Sequence, residues 1–269
     1  MSEQDDPRLA IVVAGRSVGA NLDRAIMAGA VVRNGDGGLA LAKDDESTDT
    51  ISGNSKFIKK YGKYHPPCSF LNNFLFKRVY ARSAVPIGCR NCYKIKVSSS
   101  SLRQLMKMKD IAEASGNSTK SGEEVSNPSN SEPYNTYLYF DGLDAARRAY
   151  AGLRESVDQE QVLGAGVAMT IKRGCSNYER DCGPSDQYSF DPKLEDVEAY
   201  LHSRFVESDS PSLEPQIDDA ARVLQLIRVA FRIGDETYKD FTAGKPLYPP
   251  LVSYSPEPED SAASRRRPA

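Results

Sequence analysis

Residues His65–Val97 hold three of the chain's five cysteines, and they restrict the fold more than any other stretch. The segment opens His65-Pro66-Pro67-Cys68 and runs into Gly88-Cys89-Arg90-Asn91-Cys92, so two thiols stand in a Cys-x-x-Cys. At that spacing two thiolates can reach one metal ion from a single turn. Pro86 stiffens the approach and Gly88 leaves room for the turn, as a metal knuckle requires. A chain built on such a knuckle must bring further donors to it from elsewhere.

Those donors are single residues. Cys68, Cys89, Cys92 and Cys175 make a four-sulfur set, with twenty, two and eighty-two residues between successive members. Cys182 is a fifth candidate, and His65 another, although Pro66 and Pro67 equally read as a stiff loop. Structural zinc usually draws on two close ligand pairs, and only one is present. Lone cysteines arriving from distant loops suit an iron–sulfur cluster of the [4Fe–4S] type, whose corners are ligated from several elements. The expected cofactor is therefore an iron–sulfur cluster, with zinc as the alternative. Buried, unliganded thiols are the plain reading.

Charge is divided unevenly around this segment. Lys56 to Lys109 contains thirteen Lys or Arg and no Asp or Glu, so a chain of net charge −2 carries −15 outside it. Such an asymmetry points to a basic 56–109 face for an anionic partner, either a nucleic acid or an acidic protein. Aromatics interleave the lysines from Phe57 to Tyr64. The nucleic-acid alternative therefore assigns phosphate contacts and stacking to Lys59, Lys60, Lys63, Tyr64, Arg78 and Arg82, with a structural zinc shaping the loop. In the first reading the same cations offset the charge of a thiolate-bound cluster.

The N-terminus is acidic, and no window approaches the ~20 apolar residues of a membrane span. A cytoplasmic protein is expected, with no membrane partner, and in a reducing compartment its cysteines are ligands or free thiols. At 269 residues with 39% apolar content, the chain has enough length for a sizeable core plus polar segments.

In chain order, Leu9–Ala14 reads as a buried strand and Ser17–Ile26 as a helix. Asn34–Gly38 reads as a hairpin turn, and residues 44–54 as a polar loop. Phe70 to Tyr80 has the spacing of an amphipathic helix. Tyr93–Val97 alternates as a strand, and a helix capped by Ser100 or Ser101 follows. Residues 114–135 are low in complexity and read as a disordered insertion. Thr136–Phe140 is a strand, Asp141 or Asp144 caps a helix, and Val167–Ile171 is a strand. The expected fold is α+β, a ferredoxin-like or related sandwich of short strands with helices on one face, plus C-terminal helices. The expected division is an N-terminal strand, helix and polar loop (1–55), a metal-binding domain (56–206), a C-terminal helix and extended segment (207–252) and a disordered tail (253–269).

With two histidines in the chain, a site built on several imidazoles is excluded. No Gly-x-Ser-x-Gly or complete nucleotide-binding loop is present either, and no catalytic residue is assigned. One geometric expectation follows. Cys92 precedes one strand and Cys175 follows another, so antiparallel pairing of the two would bring both to one sheet edge and leave Cys182 outside.

Overall fold

Ser17 caps the first helix rather than forming its first helical residue. In the computed structural model, which describes residues 6–42, 56–128, 130–207 and 215–254, its hydroxyl accepts from the Ala20 amide at 3.1 Å. Helix α1 spans Val18–Met27. The apolar run before it is not one strand: Pro7–Ala10 is a 3₁₀ turn. Only β1 (Val12–Val13) pairs, with β2 (Arg16–Ser17), across a tight turn in which Ala14 and Gly15 take positive φ. β3 (Val31–Arg33) and β4 (Leu39–Leu41) close the hairpin expected at Asn34–Gly38. The loop expected at 44–54 and nearly all of the tail from 253 lie outside the described residues.

The architecture is α+β around a five-stranded antiparallel sheet. Its strands are β5 (Phe57–Lys60), β6 (Cys92–Ser99), β7 (Thr119–Glu123), β8 (Tyr134–Asp141) and β9 (Met169–Arg173), in the order β5-β7-β8-β6-β9. Alternation along each strand sorts its residues onto two faces. Ile95 and Val97 of β6 and Leu138 and Phe140 of β8 pack under α2 (Leu102–Ala114) and α3 (Leu143–Gln159). Cys92, Lys94 and Lys96 alternate with those residues and belong to the other face, with Tyr137 and Tyr139 opposite them in register.

Residues 119–123 correct the expectation of a disordered insertion at 114–135. They form the strand between β5 and β8, with Thr119 and Ser121 buried. No apolar alternation marks this strand. Its side chains are instead satisfied by polar partners, such as Thr136 Oγ1 donating to Ser121 Oγ at 3.1 Å. Gly122 permits the close pairing, since a Cβ there would stand 2.2 Å from the Lys56 carbonyl oxygen.

The helix at Ser69–Val79 is a π-helix. Phe70, Phe74, Leu75 and Val79, all buried, recur every four to five residues, and i→i+5 winding keeps that period on one side. Tyr80 N–H donates to the Leu75 carbonyl at 2.7 Å, continuing the pattern. Positive φ at Ala81 and Arg82 then ends it. This helix packs with α1, α4 (Ser176–Cys182) and α5 (Lys193–Arg204) in a core that includes Leu22, Tyr80, Tyr178 and Leu201. Neither Asp141 nor Asp144 caps α3: Gly142 holds that position at φ 93 with no side-chain cap. Finally, α6 (Pro215–Ile233) covers Ile58, Leu102 and Tyr134. Among the described residues no helix is long and apolar enough to cross a membrane.

Candidate metal centre

Four elements deliver the four sulfurs. Cys68 is the residue before the π-helix, with its amide on the Pro66 carbonyl at 2.7 Å. Cys89 ends a 3₁₀ turn, Cys92 begins β6, and Cys175 precedes α4. β6 and β9 are antiparallel neighbours with Tyr93 opposite Arg173, and Gly174 N–H donates to the Cys92 carbonyl at 2.8 Å. Cys92 and Cys175 thus stand at the same sheet edge.

All four thiols lie within electrostatic reach of one another. Burial, and then the charge of Cys175, push the Cys68 thiol up to about 11 and the Cys92 thiol up to about 12. Cys89 is driven well above its ordinary value by burial first, then by Cys175, Cys92 and Cys68. Thiols so disfavoured as anions are poor nucleophiles at neutral pH. Only a positive charge placed among them reverses the balance.

Tyrosines line the group. Tyr178 Oη is 3.3 Å from Cys89 Sγ, and burial, then the charge of Cys92, raise the Tyr64 hydroxyl pKa. Tyr139 is held neutral by burial and by the charges of Cys68, Cys175 and Cys92. Among the described residues the Tyr188 hydroxyl is buried without a hydrogen-bond partner; burial, then Glu179, Cys182 and Cys175, raise its pKa.

The knuckle itself is braced from two sides. Buried Glu198 of α5 accepts from the amides of Ile87 at 2.7 Å and Gly88 at 3.0 Å and from Tyr80 Oη at 3.2 Å. Arg173 holds the Arg90 carbonyl at 2.9 Å and the Ser185 carbonyl at 3.0 Å. Gly88 fits because it packs on Leu71, where a Cβ would stand 2.6 Å from Cδ2.

The other candidates fall elsewhere. Cys182 ends α4, and its Sγ faces the Arg82 carbonyl at 3.6 Å. His65 packs on Tyr61 with ring centroids 4.4 Å apart. Burial lowers the His65 pKa, and Glu207 and Lys59 are the charges acting on it. The basic stretch does not form one patch. Lys59, Lys60 and Lys63 are exposed beside β5, whereas Arg82 lies past the far end of the π-helix, 3.8 Å from Asp181. Arg103, Lys107 and Lys109 pair with Asp240, Glu160 and Glu113, and Lys94 is buried.

As the side chains stand, no three His, Cys, Asp or Glu among the described residues form a group that could hold a metal ion. What the fold does bring together is Cys92 and Cys175 at one sheet edge, with the Tyr178 hydroxyl beside Cys89. No protein-family model, curated protein or solved structure matches the chain.

Proposed function

We propose that this is a cytoplasmic iron–sulfur protein with a [4Fe–4S] centre on Cys68, Cys89, Cys92 and Cys175, in an electron-transfer or structural role. The observation that carries the reading is the placing of Cys92 and Cys175, from separate elements, at one sheet edge by the β6–β9 pairing, with Gly174 N–H on the Cys92 carbonyl. Tetrahedral zinc would need sulfurs about 3.8 Å apart, given Zn–S bonds of about 2.3 Å. A larger cluster takes ligands from several elements, and the Tyr178 hydroxyl beside Cys89 suits its sulfurs. All five cysteines are free thiols. A bound cluster would supply one-electron transfer. The chain's own part is to hold the knuckle through Glu198 and Arg173 and to limit water through the tyrosine wall.

The strand–helix–strand–strand–helix–strand run from β6 to β9, with sheet order β7-β8-β6-β9, supports the ferredoxin-like assignment, with β5 added at the edge. Anaerobic purification followed by absorption spectroscopy and iron and sulfide analysis tests the function. About four irons and four sulfides per chain are expected. A colourless chain with one zinc overturns the cluster.

A second reading, a nucleic-acid contact, draws on Tyr61, which is 65% exposed between Lys59 and Lys63. It requires affinity for single strands that falls with salt. Binding unchanged by the triple replacement of Lys59, Lys60 and Lys63 would remove it.

A further inference from the structure

β9 is an outer strand of the sheet, and part of its free edge is uncovered. Gly174 N–H donates to the Cys92 carbonyl at 2.8 Å and Ser98 N–H to the Ala168 carbonyl at 3.0 Å. Antiparallel ladders alternate, so Thr170 and Lys172 turn their main-chain groups toward β6, while Met169, Ile171 and Arg173 turn theirs outward. Tyr150 Oη of α3 donates to the Met169 carbonyl at 3.2 Å. Among the described residues the main-chain groups of Ile171 and Arg173 have no hydrogen-bond partner, and neither residue is fully buried. A row of such donors and acceptors is a template for another strand.

An open cleft of about 410 Å³ lies beside that edge. Tyr93, Leu143 and Ile171 give it apolar lining, and Arg147 and Arg173 give it charge, against the single acid Asp186. Arg147 is 66% exposed, and its 3.8 Å contact with the equally open Asp144 holds it weakly. Arg173 lies over the rings of Tyr93, Tyr188 and Phe190 and donates to the carbonyls of Arg90 and Ser185. Among the described residues no carboxylate pairs with it.

We propose that the free edge of β9 binds an extended acidic segment of a partner protein, which adds as a strand beside Ile171 and Arg173. Side chains of an added strand alternate between the two faces of the sheet. One apolar side chain then drops onto Tyr93, Leu143 and Ile171, and an Asp or Glu two residues away on the same face meets Arg147. A second copy of this chain fits less well, because pairing β9 with β9 sets Lys172 and Arg173 against like charges. Such binding does not depend on what the cysteines hold.

The test selects binders of the full chain from a displayed library of short random peptides, then follows amide hydrogen exchange with an enriched peptide. Enriched sequences should carry Asp or Glu two residues from an apolar side chain. In the free chain the Ile171 and Arg173 amides should exchange readily while those of Thr170 and Lys172 are protected. With saturating peptide the first two should slow by about tenfold or more. Methylating the peptide nitrogens that face β9 should abolish binding, whereas methylating the alternate ones should leave it. Arg147→Glu, an exposed change on α3, should weaken the acidic peptide about tenfold and favour the same peptide with Lys in place of its acid. No enrichment of acidic peptides, or binding that leaves the Ile171 and Arg173 amides exchanging readily, overturns the proposal. Protection of both amides that grows with protein concentration in the absence of peptide assigns the edge to a second copy and overturns it as well.

Discussion

Gly174 N–H donates to the Cys92 carbonyl at 2.8 Å, which fixes the residue before Cys175 against the end of the Cys-x-x-Cys. Seven residues of α4 then carry the chain to Cys182, roughly 10 Å along a helix of 1.5 Å rise per residue. The two cysteines should therefore differ sharply on substitution. Cys175→Ser is expected to lose most of the bound metal, while Cys182→Ser retains it. Metal analysis of the two variants after identical purification decides this, and equal retention would remove Cys175 from the ligand set.

The metal-free chain should weaken at alkaline pH. Cys68 and Cys92 titrate near 11 and 12 in the fold, above the ordinary thiol value of 9.0, so the native state holds protons that the unfolded chain releases. Stability then falls as pH rises from about 9 toward those values, by roughly 1.4 kcal/mol per pH unit for each thiol. Denaturant unfolding at pH 8 and pH 10.5 measures the slope. The buried tyrosines contribute with the same sign, so the comparison that matters is Cys68→Ser with Cys92→Ser, which should flatten it. Loaded protein, its thiolates already formed, should lack this component.

Glu198 anchors the knuckle, and its loss should be felt there. Glu198→Leu leaves the Ile87 and Gly88 amides without their acceptor and should cost about 2–4 kcal/mol. Burial raises the Glu198 carboxyl above its ordinary 4.5. Its contribution is thus greatest in acid and declines as pH rises through the window just above 4.5. Glu198→Gln should abolish that slope. An unchanged pH profile in Glu198→Gln would show that the carboxylate is not the titrating group.

Gly122→Ala should destabilise the fold by about 3 kcal/mol or more, because the new Cβ meets the Lys56 backbone at 2.2 Å. Thermal unfolding reads the effect directly. A neutral substitution would mean that β5 and β7 do not pair as closely as they stand.

That glycine also marks where the sequence ceases to be legible. The strand at Tyr93–Val97 and the helix capped by Ser101 are visible in alternation and capping chemistry, because local geometry alone demands those residues. β7 carries no such signal: Thr119, Ser121 and Gly122 are buried by partners far along the chain. The π-helix was legible as an amphipathic helix, but its winding shows only in the four-to-five-residue recurrence of Phe70, Leu75 and Val79. At the centre, the placement of Cys175 beside Cys92 follows from strand pairing and could be reasoned in advance. Tyr178 and Glu198 could not, since their roles arise from apposition across elements; the Cys175-x-x-Tyr178 spacing is a local hint.

The most direct test of the central claim is X-ray absorption on the anaerobically purified chain at the iron and zinc edges. The account predicts an iron edge with both iron–sulfur and iron–iron scattering, diminished in Cys68→Ser and Cys175→Ser alike and intact in Cys182→Ser. A zinc edge with four sulfurs at about 2.3 Å and no iron, or no metal at either edge, would contradict it.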